Sequence, residues 1–126
     1  LNDFLHQSED DCGIFPVWIC PMKVTKTPIK GFLHPLPDGD ELFVDVGYYG
    51  PVEGKPDFNV TQVIRKMEKF LRETGGFQAL YDDTYMTREE FHQMFNHELY
   101  WRMRTKYQCE KAFPEIYDKV CKTARE

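Results

Sequence analysis

The sequence has no apolar run approaching the ~20 residues that a membrane-spanning helix needs. Its longest candidate, Ile14 to Met22, is interrupted by Pro16 and Pro21. There is no initiator methionine and no signal-peptide pattern, so we expect the chain itself to be soluble. The cysteines (Cys12, Cys20, Cys109, Cys121) form no CxxC pair, and the histidines (His6, His34, His92, His97) form no HExxH pair. Common zinc frameworks are thereby excluded, and no metal is expected. An even cysteine count permits disulfides, but four ordinary thiols of a reducing compartment are the simpler expectation. The histidines are scattered, and surface or loop positions are expected for each. Positive charge is scarce, with 16 Lys and Arg against 21 Asp and Glu, a net charge of −5. A nucleic-acid partner would need a basic patch, so none is expected, whereas a neutral lipid is not excluded. GxGxxG, P-loop and GxSxG motifs are all missing, so the chain cannot hold a nucleotide cofactor by itself.

What is present fits a globular chain. It has 126 residues, 41% hydrophobic and 15% aromatic, enough for one domain with a modest core. There is no internal repeat and no low-complexity tract. The chain begins at Leu1 in what reads as mid-helix sequence (LNDFLHQ), and we expect it to be cut from a longer protein. The first twelve residues read as a helix end, closed by Glu9, Asp10, Asp11 and Gly13. Phe15 to Met22 alternates as a strand, which its prolines either place towards an edge or bound. Lys23 to Asp40, with Pro28, Gly31, Pro35, Pro37 and Gly39, is a long loop. Leu42 to Tyr49 is the clearest strand.

Loop 50–57 leads into the clearest helix. Val60, Val63, Ile64, Met67, Phe70 and Leu71 form one apolar stripe, Asn59 caps its start and Gly75-Gly76 ends it. Asn59 also opens a glycosylation triplet, Asn59-Val60-Thr61, but its place at a helix start explains it better. Phe77 to Tyr85 predicts a third strand. Thr87-Arg88-Glu89-Glu90 reads as a capping box ahead of Phe91, Met94 and Phe95. A further helix is expected from Glu98 to about Tyr107, with Leu99, Tyr100 and Met103 inward. The last should start near Pro114 and carry Ile116, Tyr117, Val120, Cys121 and Ala124 on one stripe. The fold class is therefore α+β: a small, mostly antiparallel sheet with helices on one face and a C-terminal helical segment. The last helices should also pack on a part of the protein outside this chain.

Three local features could carry chemistry. In a strand, Tyr81, Asp83 and Tyr85 would share one face, and phenols beside a carboxylate can relay a proton. They could equally be packed tyrosines at a rim beside a solvated aspartate. Trp18, Tyr48 and Tyr49 could line an apolar pocket, or serve as ordinary core or domain interface. Between Tyr100 and Tyr107, Arg102, Arg104 and Lys106 interleave with Trp101, Met103 and Tyr107. That pattern suits a cofactor phosphate, a membrane surface, a calmodulin-like partner or a solvated helix face.

In order along the chain stand Pro16-Val-Trp-Ile-Cys-Pro21, Glu41-Leu-Phe-Val-Asp-Val-Gly-Tyr-Tyr-Gly50, Gly76-Phe-Gln-Ala-Leu-Tyr-Asp-Asp-Thr-Tyr-Met86 with Arg88-Glu-Glu-Phe91, and Ala112-Phe-Pro-Glu-Ile-Tyr-Asp-Lys119. Together they resemble the C-terminal region of the Δ24-sterol reductase family (24-dehydrocholesterol reductases and their plant Diminuto/Dwarf relatives), within the vanillyl-alcohol-oxidase-like flavoproteins. The resemblance implies that an FAD-binding domain is missing upstream. It implies that about 1–95 is the later part of a substrate cap domain, and about 96–126 the C-terminal helices. It implies a parent oxidoreductase that reduces a sterol C24=C25 bond with NADPH through FAD, on the cytoplasmic side of the endoplasmic reticulum membrane. It puts Tyr85, with Tyr81 as second choice and Asp83 as orienting carboxylate, in the role of proton donor. Trp18, Tyr48 and Tyr49 would then line the substrate pocket. The stretch from Arg104 to Phe113 resembles a segment that approaches FAD in several relatives, implying Lys106 and Tyr107 on the cofactor side. Partners would be the sterol and the protein's own FAD domain, and the chain alone could self-associate. Two other readings stay open: a non-catalytic lipid- or protein-binding module, and a related flavoprotein with a non-sterol substrate.

Overall fold

The computed structural model describes residues 1–25, 31–34 and 41–125. They divide into two compact units, one of residues 1–25 and 41–63, the other of 31–34 and 64–125. Most of the predicted Lys23–Asp40 loop lies outside the described residues.

The first unit carries helix α1 (Asn2–Asp11) and strands β1 (Val17–Val24) and β2 (Glu41–Tyr48). The strands pair antiparallel, Val17 opposite Tyr48 through Val24 opposite Glu41. In this two-stranded sheet both strands are edges, which is where Pro21 is tolerated. A lone hairpin-like pair is marginal in water. Here α1 supports it: the Ser8 and Tyr48 hydroxyls hydrogen-bond, and the Phe4 and Tyr48 rings sit 6.4 Å apart. The C-terminus of α1 is acidic, which its helix dipole disfavours. Lys55 compensates by donating through Nζ to the carbonyls of Asp10 and, at 3.3 Å, Glu9.

Helix α2 (Val60–Thr74) starts as expected, with the Gln62 amide donating to Asn59 Oδ1 at 3.1 Å. It ends on Gly75 at φ +74°, and the Gly76 amide returns to the Leu71 carbonyl at 2.8 Å. That left-handed stop is open to glycine at little cost.

The second unit follows with α3 (Arg88–Met94), α4 (Glu98–Lys106), α5 (Ile116–Val120) and α6 (Lys122–Arg125). The Thr87 capping box is fully formed, with side chain and backbone bonded reciprocally to Glu90. The core gathers Met86, Phe91, Met94, Phe95, Tyr117, Val120 and Cys121, with Phe32, Leu71 and Phe77 packed against it. Phe91 is its centre, completely buried, with ring centroids of Phe95 at 4.9 Å and Tyr117 at 5.5 Å.

The α+β class and the antiparallel pairing stand as expected, while two elements differ. No third strand forms over Phe77–Tyr85. The segment makes one bridge, parallel, between Thr84 and Cys121. Its backbone groups are claimed elsewhere. The Tyr85 amide donates to Glu68 Oε1 at 2.7 Å, and the Met86 amide reaches Thr84 Oγ1 at 3.3 Å. Asp82 Oδ1 accepts from the Asp83 amide at 2.7 Å, the local competition that keeps aspartates out of ladders. The expected last helix is two short ones, broken at Cys121 where that bridge forms, and Pro114 precedes rather than enters α5. All four cysteines are thiols, with Cys12 and Cys121 buried.

Candidate functional site

The second unit holds a buried acid, Glu68, only 1% exposed. Its Oε1 accepts from Thr84 Oγ1 at 2.9 Å and the Tyr85 amide at 2.7 Å, while its Oε2 meets Arg65 Nη1 at 3.1 Å. Arg65 Nη1 also donates to the Tyr85 carbonyl at 3.1 Å. Both backbone polar groups of Tyr85 are thus fixed by α2. Arg65 further forks onto Glu90, and Arg72 Nη2 adds a bond to Glu90 Oε1 at 2.8 Å. The Arg65 guanidinium lowers the Glu90 carboxyl well below its ordinary range, to about 2. A buried carboxylate is tolerated only when its oxygens are satisfied, and here they are. The result is a rigid segment, Thr84–Met86, with a half-buried Tyr85 side chain.

Tyr81, by contrast, is 73% exposed in a turn. With no strand, alternation does not align Tyr81, Asp83 and Tyr85. The Asp83 carboxylate is bonded to Arg125 and lies 3.6 Å from Lys122 Nζ. Its charge is therefore balanced by two cations of α6.

At the end of α4, Lys106 Nζ lies 5.5 Å from the centroid of the Tyr107 ring, and both residues are exposed. The sequence grouped Arg104 with them, but Arg104 is buried. Its Nη2 donates to the carbonyls of Phe113 at 2.7 Å and Glu110 at 3.2 Å, its Nη1 to that of Pro114 at 3.1 Å. It braces the loop before α5 and leaves Lys106 and Tyr107 as the pair suited to an anionic, planar cofactor. These residues fit a peripheral contact to FAD, not a complete site, since the sequence has no GxGxxG or P-loop motif.

In the first unit, Trp18 pairs with Gly47 and Val17 with Tyr48, so Trp18 and Tyr48 stand on opposite sheet faces. Trp18 and Tyr49 are 58% and 65% exposed on the Gly47 side. A Cβ at position 47 would stand 2.7 Å from Tyr49 Cε2, so the Tyr49 ring covers Gly47 and would have to shift for any larger residue. Tyr48 turns to α1 instead. Burial holds its hydroxyl above the ordinary range, with the Ser8 contact acting the other way.

One cluster escaped the sequence reading. His92 Nε2 lies 3.0 Å from Glu115 Oε1, and the His92 and His97 rings are 4.4 Å apart. His97, expected at the surface, is 8% exposed, between Phe32 and Tyr100. Burial pushes its pKa down. The three side chains lie on three elements or their caps, and no spacing rule joins residues 92, 97 and 115. Among the described residues no helix is long and apolar enough to cross a membrane.

No family model matches the chain, and no solved structure does. Curated proteins do. The Delta(24)-sterol reductase of Rattus norvegicus is 45% identical over 125 residues, covering 99% of this chain and 24% of that protein. The Delta(24)-sterol reductase homolog of Caenorhabditis elegans is 37% identical over 99% of this chain and 23% of its own length. The Delta(24)-sterol reductase of Arabidopsis thaliana is 35% identical over 94% of this chain and 24% of its own length. The chain spans about a quarter of the length of these relatives. Across 99% of its own residues, then, this chain is homologous to the Delta(24)-sterol reductases, as its sequence blocks led one to expect.

Proposed function

We propose that the chain is the C-terminal, substrate-side portion of an FAD-dependent oxidoreductase that reduces the C24=C25 bond of a sterol side chain with NADPH. The observation that carries this reading is the shared identity, over nearly the whole chain, with Delta(24)-sterol reductases of animals and plants. In this reading about 1–95 is the later part of the cap, about 96–126 the C-terminal helices, and the FAD-binding domain lies upstream. The parent works at the endoplasmic reticulum membrane, on its cytoplasmic side.

An isolated trisubstituted alkene is a poor hydride acceptor. A proton delivered to C24 builds tertiary cation character at C25, which makes the acceptor. Tyr85 Oη is the proposed donor, and its fixed backbone supports that role, because an acid must be held where the proton is needed. A free tyrosine titrates near ~10, so the donor is protonated at neutral pH. Tyr81 is the second choice. Asp83, paired with Arg125 and Lys122, would be the orienting carboxylate through its remaining acceptor capacity. Bound FAD supplies the hydride, drawn from NADPH. Lys106 and Tyr107 would face it from the end of α4, and Trp18 and Tyr49 would line the sterol side, with Tyr48 on the other sheet face bracing the strand against α1. The exposed Trp18 and Tyr49 also favour a second reading, a lipid- or protein-binding module without catalysis. A flavoprotein acting on a non-sterol substrate is a third.

The test uses the full-length parent. NADPH should bleach its flavin spectrum anaerobically, and a Δ24-sterol should restore it. No bound flavin, even after adding FAD, points to the binding module. Recovery only with a non-sterol alkene points to the third reading. Tyr85→Phe should lose turnover while still accepting electrons from NADPH, and undiminished turnover would remove Tyr85 from the mechanism.

A further inference from the structure

His92, His97 and Glu115 have no part in the reaction proposed above. Each offers a ligand atom, and these atoms all lie within 4.8 Å of one another. His97 Nδ1 is bonded to the Phe95 carbonyl at 2.9 Å, so this nitrogen carries the proton and donates. Nε2 is then left with a lone pair. It is buried and has no hydrogen-bond partner. An unmatched polar atom inside an aromatic cluster is costly and calls for an electrophile.

We infer that His92, His97 and Glu115 form a binding site for a divalent transition-metal ion of the zinc class.

Two imidazoles and one carboxylate suit zinc, and three protein ligands leave a fourth position for water. Metal–ligand bonds of ~2.0–2.1 Å put tetrahedral ligand atoms roughly 3.3 Å apart. His92 Nε2 and Glu115 Oε1, at 3.0 Å, are already near that separation. Closing onto His97 takes a movement on the order of 1 Å, which His92 can make from its exposed place in the last turn of α3. The outer contacts also match. The Phe95 carbonyl fixes the His97 tautomer, and Arg88 holds Glu115 through its other oxygen, Oε2. The Arg88 charge opposes a cation, but Asp118 takes its second nitrogen and offsets it. His34 is turned to the Gln93 carbonyl at 2.8 Å and is not a ligand.

The experiment titrates the tag-free full chain, stripped with chelator, with cobalt(II) chloride and then zinc chloride. One cobalt per chain should give the visible bands of a tetrahedral site, without thiolate charge transfer, and zinc should displace it. Affinity for zinc should fall by roughly tenfold or more in His92→Ala and Glu115→Gln, and stay unchanged in His34→Ala. His92 is exposed, so its replacement preserves the fold, which far-ultraviolet circular dichroism verifies. The inference is overturned by an absence of cobalt bands in the wild type, by equal affinity in His92→Ala, or by thiolate charge transfer that alkylation of the cysteines abolishes.

Discussion

Arg65 holds Glu90 by both carboxylate oxygens, Nη1 to Oε2 at 2.6 Å and Nη2 to Oε1 at 2.8 Å, and so ties α2 to the capping box of α3. The same Glu90 closes that box by accepting from the Thr87 amide at 2.8 Å. Fork-to-fork pairing of this kind is stronger than a single contact. A double-mutant cycle with Arg65→Ala and Glu90→Ala should show a coupling of about 0.5–3 kcal/mol in denaturant unfolding. Additive single effects would mean that the pair is not coupled in solution.

Glu68 fixes Thr84 and Tyr85 together, so Glu68→Gln tests whether that fixation matters. The amide oxygen can keep the bond to the Tyr85 amide, while the charge facing Arg65 is lost. Stability should fall by about 1–3 kcal/mol. If Tyr85 is the acid, kcat of the full-length parent should fall with KM little changed. A stability loss with normal kcat would limit Glu68 to a scaffold role.

Phe91 is completely buried among Phe95, Tyr117 and Phe32. Phe91→Ala should cost about 3–5 kcal/mol, and Phe91→Leu markedly less. Equal unfolding midpoints for wild type and Phe91→Ala would show that the second unit does not depend on this core.

The Tyr48 hydroxyl titrates above its ordinary value of 10.0 because it is partly buried. The unfolded chain therefore releases this proton first as pH rises. Its contribution to stability is complete below about pH 10 and is lost as pH rises through the folded value. Phenolate absorbance of the folded chain should show one late-ionising tyrosine fewer in Tyr48→Phe. Identical titrations would contradict the assignment.

The legible parts of the fold were those set by neighbours in sequence. Asn59, Gly75 and the Thr87–Glu90 box act within one helical turn, so residue type and spacing suffice. Alternation in Leu42–Tyr49 was equally local. Phe77–Tyr85 misled because its strand-like alternation competes with a carboxylate on another helix, Glu68, which no local pattern reveals. Arg104 misled in the same way: an alternating basic run looks solvated, yet one member turns inward to the carbonyls at 110, 113 and 114. Of the candidate site residues, Lys106 and Tyr107 meet as a pair, whereas Trp18 and Tyr48 stand on opposite faces. His97 could not be foreseen as buried, since its surroundings come from Phe32, Phe91 and Tyr100.

The bridge between Thr84 and Cys121 has a consequence for the order of events during synthesis. Cys121 is fully buried and belongs to the same core as Phe91. The chain leaves the ribosome from its N-terminus, and units fold as their residues emerge. The first unit ends its sequence at residue 63 and can mature early, while the second keeps its core open until Cys121 is out. During that interval Met86, Phe91 and Phe95 face water, so a stalled or truncated product exposes this apolar surface to quality control.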